Sequence, residues 1–177
     1  MEFLLQGQET ERLIFRKLQT TDFDSWLPFH QNKLSTLYWK GLPQDPNLAC
    51  RQWFEKIFYR YEHHLGGMNA LVEKKSSKLI GQCGLLIQEV DGVQELEIGY
   101  SILPSYWGNG YATEAAQKCK SFAFENRLAE SLISIIHVEN LASMKVALNI
   151  GMRLDKTTRY KDNPVNIYRI TDSSRVG

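Results

Sequence analysis

The chain has 177 residues, 43% of them hydrophobic and 23% charged, which excludes a disordered chain and suits one domain burying roughly 70% of its unfolded surface. A formal net charge of +1 gives no electrostatic reason to expect nucleic acid as a partner, and no apolar run approaches the ~20 residues of a membrane span. Three cysteines (Cys50, Cys83 and Cys119), odd in number and without a Cys-x-x-Cys pair, fit reduced thiols in a cytoplasm, and Met1 to Glu11 lacks the basic region and cleavage signature of a secretory peptide.

In chain order, Arg12 to Leu18 reads as a first strand, and Thr20 or Thr21 as the cap of a short helix carrying Phe23, Trp26, Leu27 and Phe29. Asp45-Pro46 is an N-cap followed by proline at the first helical position. It opens a helix to about His64 with Trp53, Phe54, Ile57, Phe58 and Tyr61 at helical spacing, and Gly66-Gly67 ends it. Ala70 to Glu73 and Leu79 to Glu89 read as strands, and Asp91-Gly92 as a hairpin turn into the strand Val93 to Leu103. Ala112 to Arg127 is a helix, Ser131 to Val138 a fifth strand, and Asn140 to Ile150 a helix stopped by Gly151. The tail from Arg153 to Thr171 reads as a hairpin turning at Lys161-Asp-Asn-Pro164. No repeat, linker or low-complexity tract divides residues 1–177 into two domains.

The densest chemical signal lies where the fourth strand runs through Pro104 into the turn Trp107-Gly108-Asn109-Gly110 and a helix follows at once. Two residues without Cβ let the backbone curl and approach a ligand closely. The amides of Asn109, Gly110, Tyr111 and Ala112 are orphan donors at a helix start, where the macrodipole favours an anion. The spacing excludes two familiar phosphate loops. No Gly-Lys-Ser/Thr follows four residues on, and Thr113 stands where a dinucleotide fingerprint has its third glycine.

The run Glu97-Ile-Gly-Tyr-Ser-Ile-Leu-Pro-Ser-Tyr-Trp-Gly-Asn-Gly-Tyr-Ala-Thr-Glu-Ala115 resembles the acetyl-CoA-binding motif of the GNAT N-acetyltransferases, and within them the ribosomal-protein N-terminal acetyltransferases, RimJ and RimL. The usual basic residue between the glycines is replaced by Asn109. Thr10-Glu-Arg-Leu-Ile-Phe-Arg16 and Val138-Glu-Asn-Leu-Ala-Ser-Met144 also resemble that branch, and the order of elements covers nearly the whole chain. The resemblance implies an α/β fold with helices on both faces of a mixed, mostly antiparallel twisted sheet of about seven strands, splayed between strands 4 and 5. It implies acetyl-CoA as cosubstrate, bound by Trp107, Gly108, Asn109, Gly110, Tyr111, Ala112 and Thr113. It further implies that the backbones of Tyr100 and Ile102, where the fourth strand bulges, pair with pantetheine.

Acetylating an amine needs a neutral nitrogen, donors for a developing oxyanion and a proton for the leaving thiolate. Glu95 and Glu97 alternate on one face of the fourth strand. Two carboxylates there mark a cleft, or else they face solvent near a sheet edge. Glu97 matches the Rim-branch glutamate before Gly-Tyr, which implies a base acting through water or an anchor for the amine; Glu95 is a substrate-side candidate. Asn140 is an N-cap by position, and the resemblance adds a bond to pantetheine. The tyrosine acid of many GNAT enzymes falls at Ala147 here, so the resemblance points to Ser143 as the donor to sulfur. His137 and His63-His64 read as structural, Cys83 as a buried thiol and Glu114 as a dipole partner, and no cluster has metal spacing.

The aromatic first helices, with Trp26, Phe29, Tyr38, Trp39 and Trp53, wall an acceptor pocket or form core. The reading is therefore an acetyl-CoA-dependent N-acetyltransferase acting on a protein or peptide N-terminal α-amine, in a monomer or homodimer, with no nucleic acid or membrane partner. Its alternatives are a small-amine acetyltransferase (antibiotic, polyamine or amino acid) and a catalytically weak CoA-binding protein. The region shows no acidic excess of the kind a polycationic amine would favour.

Overall fold

The computed structural model describes residues 2–173; Met1 and residues 174–177 of the expected domain lie outside the described residues. The elements are β1 (Leu13–Lys17), α1 (Phe23–Gln31), α2 (Pro46–Glu62), β2 (Gly66–Glu73), β3 (Lys78–Val90), β4 (Val93–Ile102), α3 (Tyr111–Glu125), β5 (Ser131–His137), α4 (Leu141–Asn149), β6 (Arg153–Tyr160) and β7 (Asn163–Thr171). They build one seven-stranded sheet in the order β1-β2-β3-β4-β5-β7-β6, antiparallel everywhere except β4 against β5.

Strand alternation sorts the apolar residues onto two faces. Leu13, Phe15, Leu71, Ile80, Leu85, Leu96 and Ile98 pack under α3 through Ala115, Ala116, Cys119 and Ala123, with Ala147 of α4 in the same cluster. Met68, Ala70, Leu79 and Leu86 face the other way, beneath Trp26 and Phe29 of α1 and Phe54 and Ile57 of α2. The small residues on α3 let the helix lie close to the sheet, as a helix opening on a strand-end turn must. Among the described residues no helix is long and apolar enough to cross a membrane.

Asp45 caps α2 through its side chain, accepting from Asn47 N at 3.0 Å, and Pro46 opens the helix. Asp91-Gly92 forms the β3–β4 turn with both residues left-handed. The last hairpin turns more tightly than its composition suggested: Lys161 and Asp162 alone make the turn, at φ 48° and 63°, and Asn163-Pro164 already belong to β7.

Two expected boundaries move. Thr20 and Thr21 cap nothing; they lie in a 3-10 turn, Thr20–Asp22, and α1 begins at Phe23. The fixed point there is Asp22, which accepts Gln19 N at 2.8 Å and both Arg16 guanidinium nitrogens at 2.7 Å. Gly66-Gly67 start β2 rather than end α2, which stops at Glu62. A Cβ on Gly66 would sit 2.1 Å from Leu85 O and one on Gly67 2.9 Å from Tyr61 Cε1, so both glycines answer to close packing.

The sheet parts between β4 and β5, which share the single bridge Glu97↔Ile133. The bulge expected around Tyr100 and Ile102 is absent: β3 and β4 pair without a register shift from Gly81↔Ile102 to Val90↔Val93. Gly81 permits this, since a Cβ there would meet Ile102 Cδ1 at 2.6 Å. The splay arises from the missing β4–β5 ladder.

Candidate active site

The glycine turn has the shape of an anion seat. Gly108 and Gly110 take left-handed φ of 74° and 78°, and a Cβ on Gly108 would meet no atom of the described residues within 4 Å. Among the described residues, a Cβ on Gly110 would meet only Arg12 Nη2, at 3.6 Å. The backbone therefore faces open space, with room for a phosphate to approach. The bond from Glu114 N to Gly110 O, 3.0 Å, closes the first turn of α3 and leaves the amides of Tyr111, Ala112 and Thr113 without an acceptor in the helix. Asn109 folds the turn upon itself, donating Nδ2 to Tyr106 O and Trp107 O at 3.1 and 3.0 Å.

The turn is braced from the far end of the chain. Arg12 donates Nη1 to Asn109 O at 2.9 Å, Nε to Glu114 Oε2 at 2.7 Å and its own amide to Glu114 Oε1 at 2.9 Å, while Thr10 Oγ1 adds a 2.6 Å bond to the same oxygen. The guanidinium lies 4.1 Å above the Tyr111 ring, whose hydroxyl donates to Glu73. Burial works against the Glu114 carboxylate, but the bonds from Thr10 and Arg12 hold its pKa below the ordinary value. Glu114 is thus more than a dipole partner. Thr10-Glu-Arg-Leu and Thr113-Glu114 were legible as separate motifs; their contact was not.

At the splay, Leu103 N donates to Ile80 O at 2.9 Å, so alternate backbone groups, those of Tyr100 and Ile102, turn toward the gap. Trp107, 45% exposed, donates its indole N–H to Ile102 O at 2.8 Å and thereby occupies one of the groups expected to meet pantetheine. The Tyr100 phenol donates to Ser143 O at 2.7 Å and ties α4 to β4; burial pushes its pKa far up, so it stays a neutral donor. Asn140 Oδ1 accepts Ser143 N at 3.1 Å, the capping role its position suggested. With its amide and carbonyl so engaged, Ser143 keeps a hydroxyl that bonds to no other described residue.

Glu97 lies at the β4–β5 bridge on the face toward α2. Gln88 Nε2 donates to its Oε2 at 2.8 Å. The same Gln88 accepts from Arg60 Nη2 and from Tyr160 OH, each at 2.9 Å, so its amide is oriented to donate to Glu97. Desolvation raises the Glu97 pKa, opposed by bonds from Gln88 and the Ile135 amide and by the charges of Arg60 and Lys56. Glu95, on the same face, is committed to Arg169 through bonds of 2.6 and 3.0 Å that join β4 to β7. As a free substrate group it is corrected to a structural ion pair.

Trp26 is corrected as well. It is 0% exposed and stacks on Phe29 at 4.5 Å inside the α1–α2 layer, out of reach of any acceptor. Trp39 is partly buried and stacks on Trp53 at 5.0 Å, forming the outer wall of that layer. Tyr38 packs at the end of β5: its ring stacks on His137 at 4.8 Å and its hydroxyl donates to Glu139 O at 3.1 Å, joining the α1–α2 connection to that strand. Cys83 is buried, 3.5 Å from Cys119 sulfur to sulfur. Among the described residues no three His, Cys, Asp or Glu side chains gather as metal ligands would.

Comparison with known proteins shows the family and the fold. The chain matches the family described as acetyltransferase (GNAT) domain over residues 12–153. It is 38% identical over 96 residues to YkkB of Bacillus subtilis, a stretch covering 54% of this chain and about half, 56%, of that relative. Among solved structures, an acetyltransferase from Agrobacterium tumefaciens superposes with a TM-score of 0.79 at 25% identity, covering 97% of this chain and 98% of that one. RimJ of Mycobacterium smegmatis, solved with a CoA disulfide, superposes at 0.74 with 16% identity, over 93% of this chain and 84% of that one.

Proposed function

This chain belongs to the GNAT acetyltransferase family, and we propose that it transfers an acetyl group from acetyl-CoA to a protein or peptide N-terminal α-amine. The observation that carries the reading is Glu97. It is a partly buried carboxylate at the one β4–β5 bridge, its pKa raised, on the strand that leads into the glycine turn.

The open seat at Gly108 and Gly110 fits a pyrophosphate, with the amides of Tyr111 to Thr113 as donors and Arg12 holding the turn. Tyr100 and Ile102 offer backbone groups to a pantetheine arm running along the splay. Acetyl-CoA supplies an activated thioester carbonyl when bound. Against it, this chain must neutralise and orient the amine. An α-amine costs about 1.4 kcal/mol to deprotonate at pH 7, whereas a lysine side chain costs about 4.6 kcal/mol. One carboxylate with a raised pKa suits the first task well, because a base works best with a pKa near the working pH. Glu97 takes the amine proton directly or through a water, and Gln88 keeps the carboxylate aimed. The Ser143 hydroxyl donates to the sulfur as charge gathers there. RimJ, similar in fold and solved with a CoA disulfide, supports the cosubstrate assignment.

The test is acetyl-CoA turnover with peptides bearing N-terminal Ser or Ala, beside lysine side chains, polyamines and aminoglycosides. Acetylation of the peptide α-amine in preference to every other nitrogen supports the reading. Turnover confined to small amines, or none despite CoA binding, overturns it.

A further inference from the structure

The turn that would receive the pyrophosphate has no charged side chain of its own. Residues 104–113, Pro-Ser-Tyr-Trp-Gly-Asn-Gly-Tyr-Ala-Thr, contain no lysine, arginine or histidine, and the first basic side chain along α3 is Lys118. Backbone amides and the helix dipole supply only a partial positive charge there, about half an elementary charge. A pyrophosphate bridge brings a full negative charge on each phosphoryl group.

The missing cation comes from the other end of the chain. Arg12, the residue before β1, lies against the turn, and its guanidinium is fixed on three sides. Nε donates to Glu114 Oε2 at 2.7 Å, Nη1 donates to Asn109 O at 2.9 Å, and Cζ stands 4.1 Å over the Tyr111 ring. A guanidinium offers five N–H donors in one rigid plane, so these contacts also orient the donors they leave over. Both hydrogens of Nη2 are left over, since no acceptor among the described residues takes them. Nη2 is also the atom that borders the turn, 3.6 Å from where a Cβ on Gly110 would stand. Glu114 offsets part of the charge, but its oxygens are engaged by Thr10 Oγ1, the Arg12 amide and Nε rather than by Nη2. The bond to Glu114 raises the Arg12 pKa above its ordinary value, so the guanidinium stays charged. The side chain is 39% exposed, which leaves it within reach of a ligand.

We propose that Arg12 is a direct ligand of the cosubstrate, with Nη2 donating to a pyrophosphate oxygen of acetyl-CoA seated on the amides of Tyr111 to Thr113. The contacts that hold the turn then also aim the donor. The proposal rests on the acetyltransferase reading for the identity of its ligand and is independent of the acceptor amine. CoA carries a second anionic group, the ribose phosphate, with the same chemistry. The pyrophosphate is assigned because Nη2 borders the glycine turn itself.

Calorimetry with CoA and with dephospho-CoA, which lacks the ribose phosphate, tests this with no acceptor present. Arg12→Gln should lower the affinity for both by about tenfold or more, as loss of a charge-assisted bond predicts, while a melting curve shows that the variant folds. Wild-type affinity should weaken more steeply with salt than that of Arg12→Gln, which has lost one full charge. Arg12→Lys keeps a charge, but one ammonium cannot serve Glu114, Asn109 and the anion together. It should bind several-fold more weakly than wild type, and it stands in if the glutamine variant does not fold. Glu114→Gln separates ligand from brace: it removes the ion pair and leaves the cation, so it should cost less than Arg12→Gln and keep the wild-type salt dependence. Wild-type affinity in either folded Arg12 variant overturns the proposal. Equal losses and equal salt slopes in Arg12→Gln and Glu114→Gln also overturn it, leaving Arg12 a brace. A loss with CoA but not with dephospho-CoA overturns the pyrophosphate assignment. If wild-type protein binds neither probe, the cosubstrate reading itself falls and takes the proposal with it.

Discussion

Replacing Ser143 by alanine isolates one atom of the site. The residue has three polar groups with three separate partners. Its amide satisfies the Asn140 cap at 3.1 Å, its carbonyl accepts the Tyr100 phenol at 2.7 Å, and its hydroxyl bonds to no other described residue. Ser143→Ala deletes the third and leaves the first two, so the N-terminus of α4 and its tie to β4 persist. Alanine is also the better helix former, by a few tenths of a kcal/mol, so thermal stability should hold or rise slightly. A hydrogen bond to a charge developing on sulfur is worth about 1.5–3 kcal/mol, which predicts a loss of roughly ten- to hundredfold in turnover. The ground-state thioester carries no charge there, so acetyl-CoA affinity should fall much less. Steady-state rates at saturating acetyl-CoA, set beside calorimetric affinity and a melting curve, separate these effects. Equal losses in affinity and rate would make Ser143 a binding residue only. Unchanged rates would leave the thiolate to solvent and refute the argument.

Gly110→Val places a branched side chain at φ 78°, costing about 1–2 kcal/mol of stability, and fills the seat; the folded variant should lose acetyl-CoA binding by calorimetry, and unchanged affinity would sink the cradle assignment. Glu97→Gln should lower turnover about 10²-fold at pH 7 with partial recovery at higher pH, while acetyl-CoA affinity changes little. Because the folded pKa of Glu97 is raised, its ionised form is disfavoured in the native state at neutral pH, so the same variant should melt higher; wild-type turnover would clear Glu97. His30 is 7% exposed among Phe29, Trp39 and Trp53, neither ring nitrogen has a hydrogen-bond partner among the described residues, and burial lowers its pKa from 6.5 to about 4. The native state therefore binds fewer protons than the unfolded chain below pH 6.5, and stability should fall by up to about 3 kcal/mol as pH drops toward 4. His30→Phe should flatten that limb in urea titrations at pH 7 and 4.5, and an unaltered slope would falsify the assignment.

The local signals of this chain were legible because each has a local cause. Asp45-Pro46, Asp91-Gly92 and the spacing from Trp53 to Tyr61 depend on neighbours a few residues away, and each marks the element it should. The seven-stranded mixed sheet with its parting between strands 4 and 5 followed from the family resemblance and is found here. Partners distant in sequence were not readable. Nothing near Glu95 announces Arg169, 74 positions on, and nothing near Glu114 announces Arg12, 102 positions back. An amphipathic aromatic helix does not say which aromatic faces inward, which is why Trp26 read as either pocket wall or core, and it lies in the core. Gly66-Gly67 looked like a stop signal because the atoms that require glycine, Leu85 O and the Tyr61 ring, belong to other elements.

The single Glu97↔Ile133 bridge, supplemented by Ser134 Oγ donating to Ile98 O at 2.9 Å, leaves the sheet with a seam between β1–β4 and β5–β7. A molecule lying along that seam bonds to both sides and thereby becomes part of what keeps the two blocks registered. Its contribution follows mass action: at a hundredfold excess over Kd, a ligand of the native state adds about 2.7 kcal/mol. The abundance of the folded enzyme, and its lifetime against proteases that attack opened chains, would then track the supply of its own cosubstrate. Slowed amide exchange along β4 and β5 on adding CoA would be the physical trace of that dependence.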